Sequence, residues 1–145
     1  ERQVRLLSRH VNARLVPGSH QILTTLAAEL EAYFAAEGHT FSVPLQLLGT
    51  PFQQQVWEAL LAIPYGVTRS YAELATSIGR PTAARAVARS NGDNRLAIII
   101  PCHRVIGADG SPTGYGGGVW RKQRLLELEA GSASVGQAAS AGKSP

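Results

Sequence analysis

One residue in this chain combines nucleophilicity with neighbours that could activate it. Cys102 is the only cysteine in 145 residues, and it lies in the run Pro101-Cys102-His103-Arg104-Val105. A free thiol is a weak nucleophile until it loses its proton. An adjacent imidazole can take that proton, and a nearby cation favours the thiolate. His103 and Arg104 supply both types of group. Adjacent residues on an extended strand point to opposite faces, so contact between the thiol and His103 requires a turn, which Pro101 could start. The residue types alone leave a second reading open, a small buried thiol beside a surface histidine. A single cysteine excludes an internal disulfide and a cysteine-rich zinc site, and it suits a reducing compartment.

The surrounding pattern indicates what must position this group. Leu96–Ile100 is a continuous apolar run of strand length, so the spacing predicts a buried strand that delivers Cys102 at its end. Upstream, Ser70 and Glu73 match a capping box, and Gly79 and Pro81 close a short helix by about residue 78. A second short helix is predicted over Thr82–Ser90. Two short helices joined by a Gly-containing turn read as a helix-turn-helix, a form also found in domains that never touch DNA. In the second helix Arg85 and Arg89 are four apart and share a face. The alanines around them, Ala83 and Ala84 included, keep it slim enough to approach a groove, and Val87 could face the core. Asn91-Gly92-Asp93-Asn94 predicts a turn.

Further out, Ser19 is expected to cap a helix whose face carries Ile22, Leu23, Leu26, Leu30 and Phe34. Thr50, Pro51 and Gln53 open another, with Phe52, Val56, Leu60 and Ile63 as its apolar stripe. Residues 1–18 are expected to be a loose lead-in or strand remnants. A last helix is predicted over Val119–Glu129, followed by a disordered tail at 131–145 that is rich in Gly, Ser and Ala. The expected organisation is an N-terminal α/β part at 1–47, a functional domain at 48–130 and that tail. The net charge of +4 permits a polyanionic partner without requiring one. No run approaches the ~20 apolar residues of a membrane span, and no secretory leader is visible behind Glu1.

Together these features resemble the O6-alkylguanine-DNA alkyltransferases, also called methylated-DNA–protein-cysteine methyltransferases. The reactive run is accompanied by Pro64-Tyr65-Gly66, Ser70-Tyr71, Ala83-Ala84-Arg85-Ala86-Val87, Asn94 and Gly114-Tyr115, all at that family's offsets from the cysteine. The resemblance covers about residues 49–130, and more loosely the helix at 19–37. It implies an α/β fold: a short or truncated ribonuclease-H-like N-terminal part, then a helical, winged-helix-like domain with a helix-turn-helix and a reactive-cysteine strand. Fewer than fifty residues precede Thr50, where the family carries a strand-rich domain.

The resemblance also implies roles. Cys102 would accept the alkyl group, His103 would deprotonate it through a bridging water, and Glu129 would orient the imidazole. Asn94 would brace the turn before the reactive strand, and Tyr71 would hydrogen-bond the guanine ring. Arg85 would fill the stack vacated by a flipped base, with Ala83, Ala84 and Arg89 on the DNA-binding helix. The carbonyls of Cys102 and Val105 would accept from the guanine amine. Tyr115, Gly116 and Gly117 would wall the pocket. The implied partner is double-stranded DNA containing O6-alkylguanine, bound from the minor groove by a cytoplasmic monomer, with no cofactor and no metal. Two other readings stand beside this one. One is a non-catalytic protein that binds alkylated DNA. The other is a regulator in which alkylated Cys102 is the signal.

Overall fold

The computed structural model of the chain describes the backbone of residues 2–141 and the side-chain surroundings of residues 3–132. It divides into two compact units, residues 1–50 and 51–145. The first contains α1 (Arg2–Val11) and α2 (Gln21–Phe34). Residues 2–11 are therefore helical, where a loose or strand-like lead-in was expected. Their basic and apolar residues alternate at helical rather than strand spacing. The cap of α2 is His20 rather than Ser19: its Nδ1 accepts from Ile22 N at 3.1 Å. No strand occurs among the described residues of this unit, so the strand-bearing α/β arrangement expected for 1–47 is absent from them. Tyr33 is fully buried, with Phe34 and Phe41 against its ring.

The second unit runs α3 (Pro51–Leu61), β1 (Arg69–Ser70), α4 (Tyr71–Ser77), α5 (Ala84–Gly92), a 3-10 turn (Cys102–Arg104), β2 (Val105–Ile106) and α6 (Val119–Ala141). α3 opens on Pro51, whose missing N–H is not needed at a first helical position. Its buried face is Val56, Trp57 and Leu60. Trp57 Nε1 donates to the Ser90 carbonyl at 2.9 Å and so ties α3 to α5.

α4 and α5 form the helix-turn-helix. The capping box at Ser70 is present: Ser70 Oγ accepts from Glu73 N, and the Glu73 carboxylate accepts from Ser70 N at 2.6 Å. The helix stops because Gly79 takes a φ of +71°, which lets Gly79 N reach the Thr76 carbonyl and Arg80 N the Ala75 carbonyl. α5 begins at Ala84, two residues later than expected, and continues through Asn91 and Gly92, where a turn was predicted. Val87 is fully buried beneath it.

Two elements differ more sharply from expectation. Leu96–Ile100 is not a strand; it is a tight turn with one isolated bridge, Ala97 to Ile100. No neighbouring strand pairs it. Asn94 takes that place, accepting from Leu96 N at 3.0 Å and donating to the Ile100 carbonyl at 2.8 Å. Ile98 is held at φ +75°, a conformation that costs a β-branched residue roughly 1–3 kcal/mol. The reactive-cysteine strand is thus replaced by a turn followed by the 3-10 turn. The only sheet among the described residues is the parallel pair β1–β2, with Arg69 opposite Val105 and Ser70 opposite Ile106. Secondly, α6 does not end near Glu129. It runs to Ala141, so residues 131–141 of the expected disordered tail are helical, and 142–145 lie outside the described residues. The segment lacks apolar bulk, but its alanines are the best helix formers and extend a helix already nucleated.

Candidate active site

The 3-10 turn puts Cys102, His103 and Arg104 on three different bearings, and all three are buried. Cys102 faces α5 and the Asn94 turn. Its Sγ accepts from Asn94 Nδ2 at 3.0 Å, and its carbonyl accepts from Asn91 Nδ2 at 3.3 Å. Asn94 therefore spans the turn and the sulfur with one amide. Burial pushes the Cys102 thiol up; the Asn94 hydrogen bond and the charge of Lys122 act in the opposite direction.

His103 is fully buried and faces α6. Its Nε2 lies 2.7 Å from Glu129 Oε1. The other ring nitrogen, Nδ1, is buried with no hydrogen-bond partner among the described residues. Glu129 is a hub. It accepts from Arg104 Nε at 2.9 Å, from Arg104 Nη2 at 3.0 Å and from Gly66 N at 3.0 Å. Burial alone would raise its carboxyl. The bonds from His103, Arg104 and Gly66 outweigh that and hold it at about 2. A carboxylate so fixed keeps its negative charge beside the imidazole throughout the physiological range.

Arg104 has a different task from the one its sequence position suggests. It grips Glu129 at two points, donates to the Ile63 carbonyl at 2.6 Å and lies over the Tyr65 ring. The cation whose charge reaches Cys102 is Lys122, a residue that motif reasoning passed over. Lys122 is fully buried on α6, and its Nζ donates to the carbonyls of Val105 at 2.5 Å and Thr113 at 2.7 Å. Among the described residues of α6, Lys122, Leu125 and Glu129 are buried, spaced i, i+3 and i+7. The sequence signal for it is a helical face on which Leu125 lies between two charged residues. Asn91 was also missed, because it was assigned to a turn.

The remaining candidate residues surround this cluster. Tyr71, the first residue of α4, donates its hydroxyl to the Thr113 carbonyl at 3.2 Å, with Lys122 Nζ 6.0 Å from its ring centre. Burial raises its phenol, and Cys102 adds to the shift. Tyr115 is pushed up to about 12, first by burial and then by Cys102. Both phenols therefore stay protonated and can donate. The Val105 carbonyl accepts from Lys122 Nζ, while the Cys102 carbonyl already accepts two bonds, from Asn91 Nδ2 and from the Val105 N–H. Gly116 and Gly117 are exposed, and a Cβ at Gly116 would meet nothing within 4 Å. Arg85 and Arg89 are exposed on α5, while Ala83 and Ala84 are half-buried at its start. They do not belong to the cluster around the thiol. Among the described residues no group of histidine, cysteine and carboxylate side chains could hold a metal.

A buried thiol, a histidine fixed by a carboxylate and two protonated phenols behind a helix-turn-helix can be compared with known proteins. The family described as 6-O-methylguanine DNA methyltransferase, DNA binding domain, matches residues 51–131, more than half of the chain. The chain belongs to this family. Methylated-DNA–protein-cysteine methyltransferase of Mycobacterium tuberculosis (strain H37Rv) is 65% identical over 101 residues, which cover 70% of this chain and 61% of that protein. The constitutive methyltransferase of Bacillus subtilis is 56% identical over 102 residues, 70% of this chain and 62% of that one. The crystal structure of Mycobacterium tuberculosis OGT in complex with DNA superposes with a TM-score of 0.74 at 60% identity, covering 75% of this chain and 68% of that one. The chain thus spans about three fifths of the length of these curated methyltransferases.

Proposed function

We propose that this protein repairs O6-alkylguanine in double-stranded DNA by transferring the alkyl group to Cys102, irreversibly and once per chain. What carries the reading is a His103–Glu129 pair fixed one residue from the buried Cys102 on the 3-10 turn, within a chain of the methyltransferase family. The damaged oxygen lies in a stacked duplex, so the nucleotide must first be flipped out. Exposed Arg85 is the filler of the vacated stack, and Arg89, one turn along, meets phosphate. Ala83 and Ala84 allow the helix to come close. The exocyclic amine donates one N–H to the Val105 carbonyl and the other to the Cys102 carbonyl, in place of the long 3.3 Å bond from Asn91. Tyr115, Gly116 and Gly117 wall the alkyl group.

The thiol proton passes, through a bridging water, to His103 Nδ1, the nitrogen left free by Glu129. The thiolate sulfur then attacks the alkyl carbon. The carbon–sulfur bond forms as the carbon–O6 bond breaks, and its electron pair goes to guanine. Tyr71 turns its hydroxyl from Thr113 to the ring and stabilises the departing anion by hydrogen bonding. The thioether is a poor leaving group, so Cys102 is not regenerated. This chemistry calls for no cofactor. The β1–β2 pair against α4 supports a winged-helix-like reading of residues 51–130, and a ribonuclease-H-like origin of the preceding part rests on the resemblance alone. Minor-groove approach, a monomeric state and a cytoplasmic location belong to the same reading. No described helix is long and apolar enough to cross a membrane.

The test is Cys102→Ser. Transfer from a duplex containing O6-methylguanine should vanish while affinity for that duplex stays within about twofold. Transfer by the serine variant at a comparable rate would refute Cys102 as acceptor.

A further inference from the structure

The loop from Tyr115 to Gly118 is the thinnest part of the proposed pocket wall, with three consecutive glycines. Two of them carry positive or crowded geometry. Gly118 has φ +98°, and a Cβ on Gly117 would lie 3.0 Å from the Tyr115 ring. Such a loop does not hold one shape by its own torsions. One bond inside it, from Gly118 N to the Tyr115 carbonyl at 2.9 Å, closes the turn, and the first turn of α6 fixes it from outside. Arg121 Nη1 donates to the Gly117 carbonyl at 2.5 Å. The same guanidinium sits 4.5 Å from the centre of the Trp120 ring. Trp120 in turn covers Gly118, where an added Cβ would be 3.3 Å from two indole atoms. Trp120 is 63% exposed, so core packing does not account for its size. The Arg121 side chain has no carboxylate partner among the described residues, so loop and indole are its contacts. Its charge also reaches Tyr115, where it acts against the upward push from burial and from Cys102.

We propose that Trp120 and Arg121 form a latch that holds the Gly116–Gly118 loop closed against the alkyl pocket, and so restrict the size of alkyl group accepted. They are positioning residues; neither touches the thiol. The inference rests on the transfer reaction proposed above. Opening the latch lets the loop move outward. A methyl group then loses a wall that held it near the sulfur, and a bulky group gains room.

The experiment measures single-turnover transfer from two duplexes of one sequence, containing O6-methylguanine or O6-benzylguanine. The proteins are the parent chain, Trp120→Ala, Arg121→Ala, the double variant and Trp120→Phe. The benzyl-to-methyl rate ratio should rise by roughly fivefold or more in each alanine variant. The double variant should rise no further than the larger single, because both residues serve one contact. Trp120→Phe keeps an aromatic face for the guanidinium and should retain the parent ratio. The far-UV circular dichroism spectrum and the unfolding midpoint serve as the control for folding and should match the parent in every variant. Ratios unchanged within twofold, or methyl and benzyl rates falling together, would overturn the latch. A parent chain that transfers neither group would instead overturn the proposed reaction itself, so the two failures are separable.

Discussion

At the scale of single residues, the site is organised around charges that cannot leave. Glu129 carries its negative charge because His103, Arg104 and Gly66 donate to it, and Arg104 is fully committed to that carboxylate and to Ile63. Lys122 holds its ammonium on two backbone carbonyls, within electrostatic reach of the sulfur. Glu129→Gln separates these roles. The neutral amide no longer fixes the imidazole for proton uptake, so transfer should slow by about tenfold or more, with DNA affinity unchanged. The same variant has a stability signature. The folded carboxyl titrates at about 2 against an ordinary value of 4.5, so its stabilising contribution is complete above the ordinary value and is lost as pH falls through the folded one. Parent stability should therefore drop between pH 4.5 and 2 through this group. Glu129→Gln should be less stable by about 3 kcal/mol at neutral pH, with Arg104 left unpaired, and should lack that part of the acid transition. Denaturant unfolding across pH 2–7 measures both. Equal acid sensitivity in the two proteins would remove Glu129 from the centre of the network.

At the scale of elements, the helix-turn-helix follows local rules closely enough to be read in advance. The Ser70–Glu73 box, the Gly79 stop and buried Val87 are all short-range features. Ser70→Ala should destabilise the second unit by about 1 kcal/mol through loss of the cap, measured by denaturant unfolding. An unchanged midpoint would mean that packing of α4 alone holds the turn. The reactive segment could not be read in the same way. Five consecutive apolar residues at 96–100 look like a strand, but a strand needs a partner, and the partner here is the Asn94 side chain. Sequence periodicity does not register such a replacement. Nor did the motif around Cys102 disclose Lys122, which lies twenty residues on and becomes a neighbour only through α6. Exposed α5 carries the prediction for flipping. Arg85→Ala should slow repair of a guanine in a well-stacked duplex, with a smaller loss when the base is mispaired or single-stranded, because less stacking must be broken there. The ratio of variant to parent rates on the two substrates, at saturating protein, measures this. Equal ratios with a shallower salt dependence would make Arg85 a phosphate anchor instead.

At the scale of the whole molecule, the features that matter are the excess of basic residues and the placement of the proposed site within one unit. A net charge of +4 fits a polyanionic partner, and the exposed cations on α5 give that charge a place to act. Cys102, His103, Glu129, Tyr71 and the helix-turn-helix all lie within residues 51–145. The first unit, with two helices and no described strand, is where the sequence was least informative. Its α2 was legible from the apolar stripe, with the cap one residue off, whereas α1 carries no cap signal and was not read as a helix. The central claim, that Cys102 is itself the acceptor and is consumed, is tested most directly by intact and peptide mass spectrometry of the full chain. The protein is incubated with a tenfold excess of a duplex holding one O6-methylguanine. The account predicts a gain of one methyl group, confined to the peptide containing Cys102, and repaired base that stops at one per protein chain. Continued repair beyond one equivalent, or a methyl group on any other residue, would contradict it.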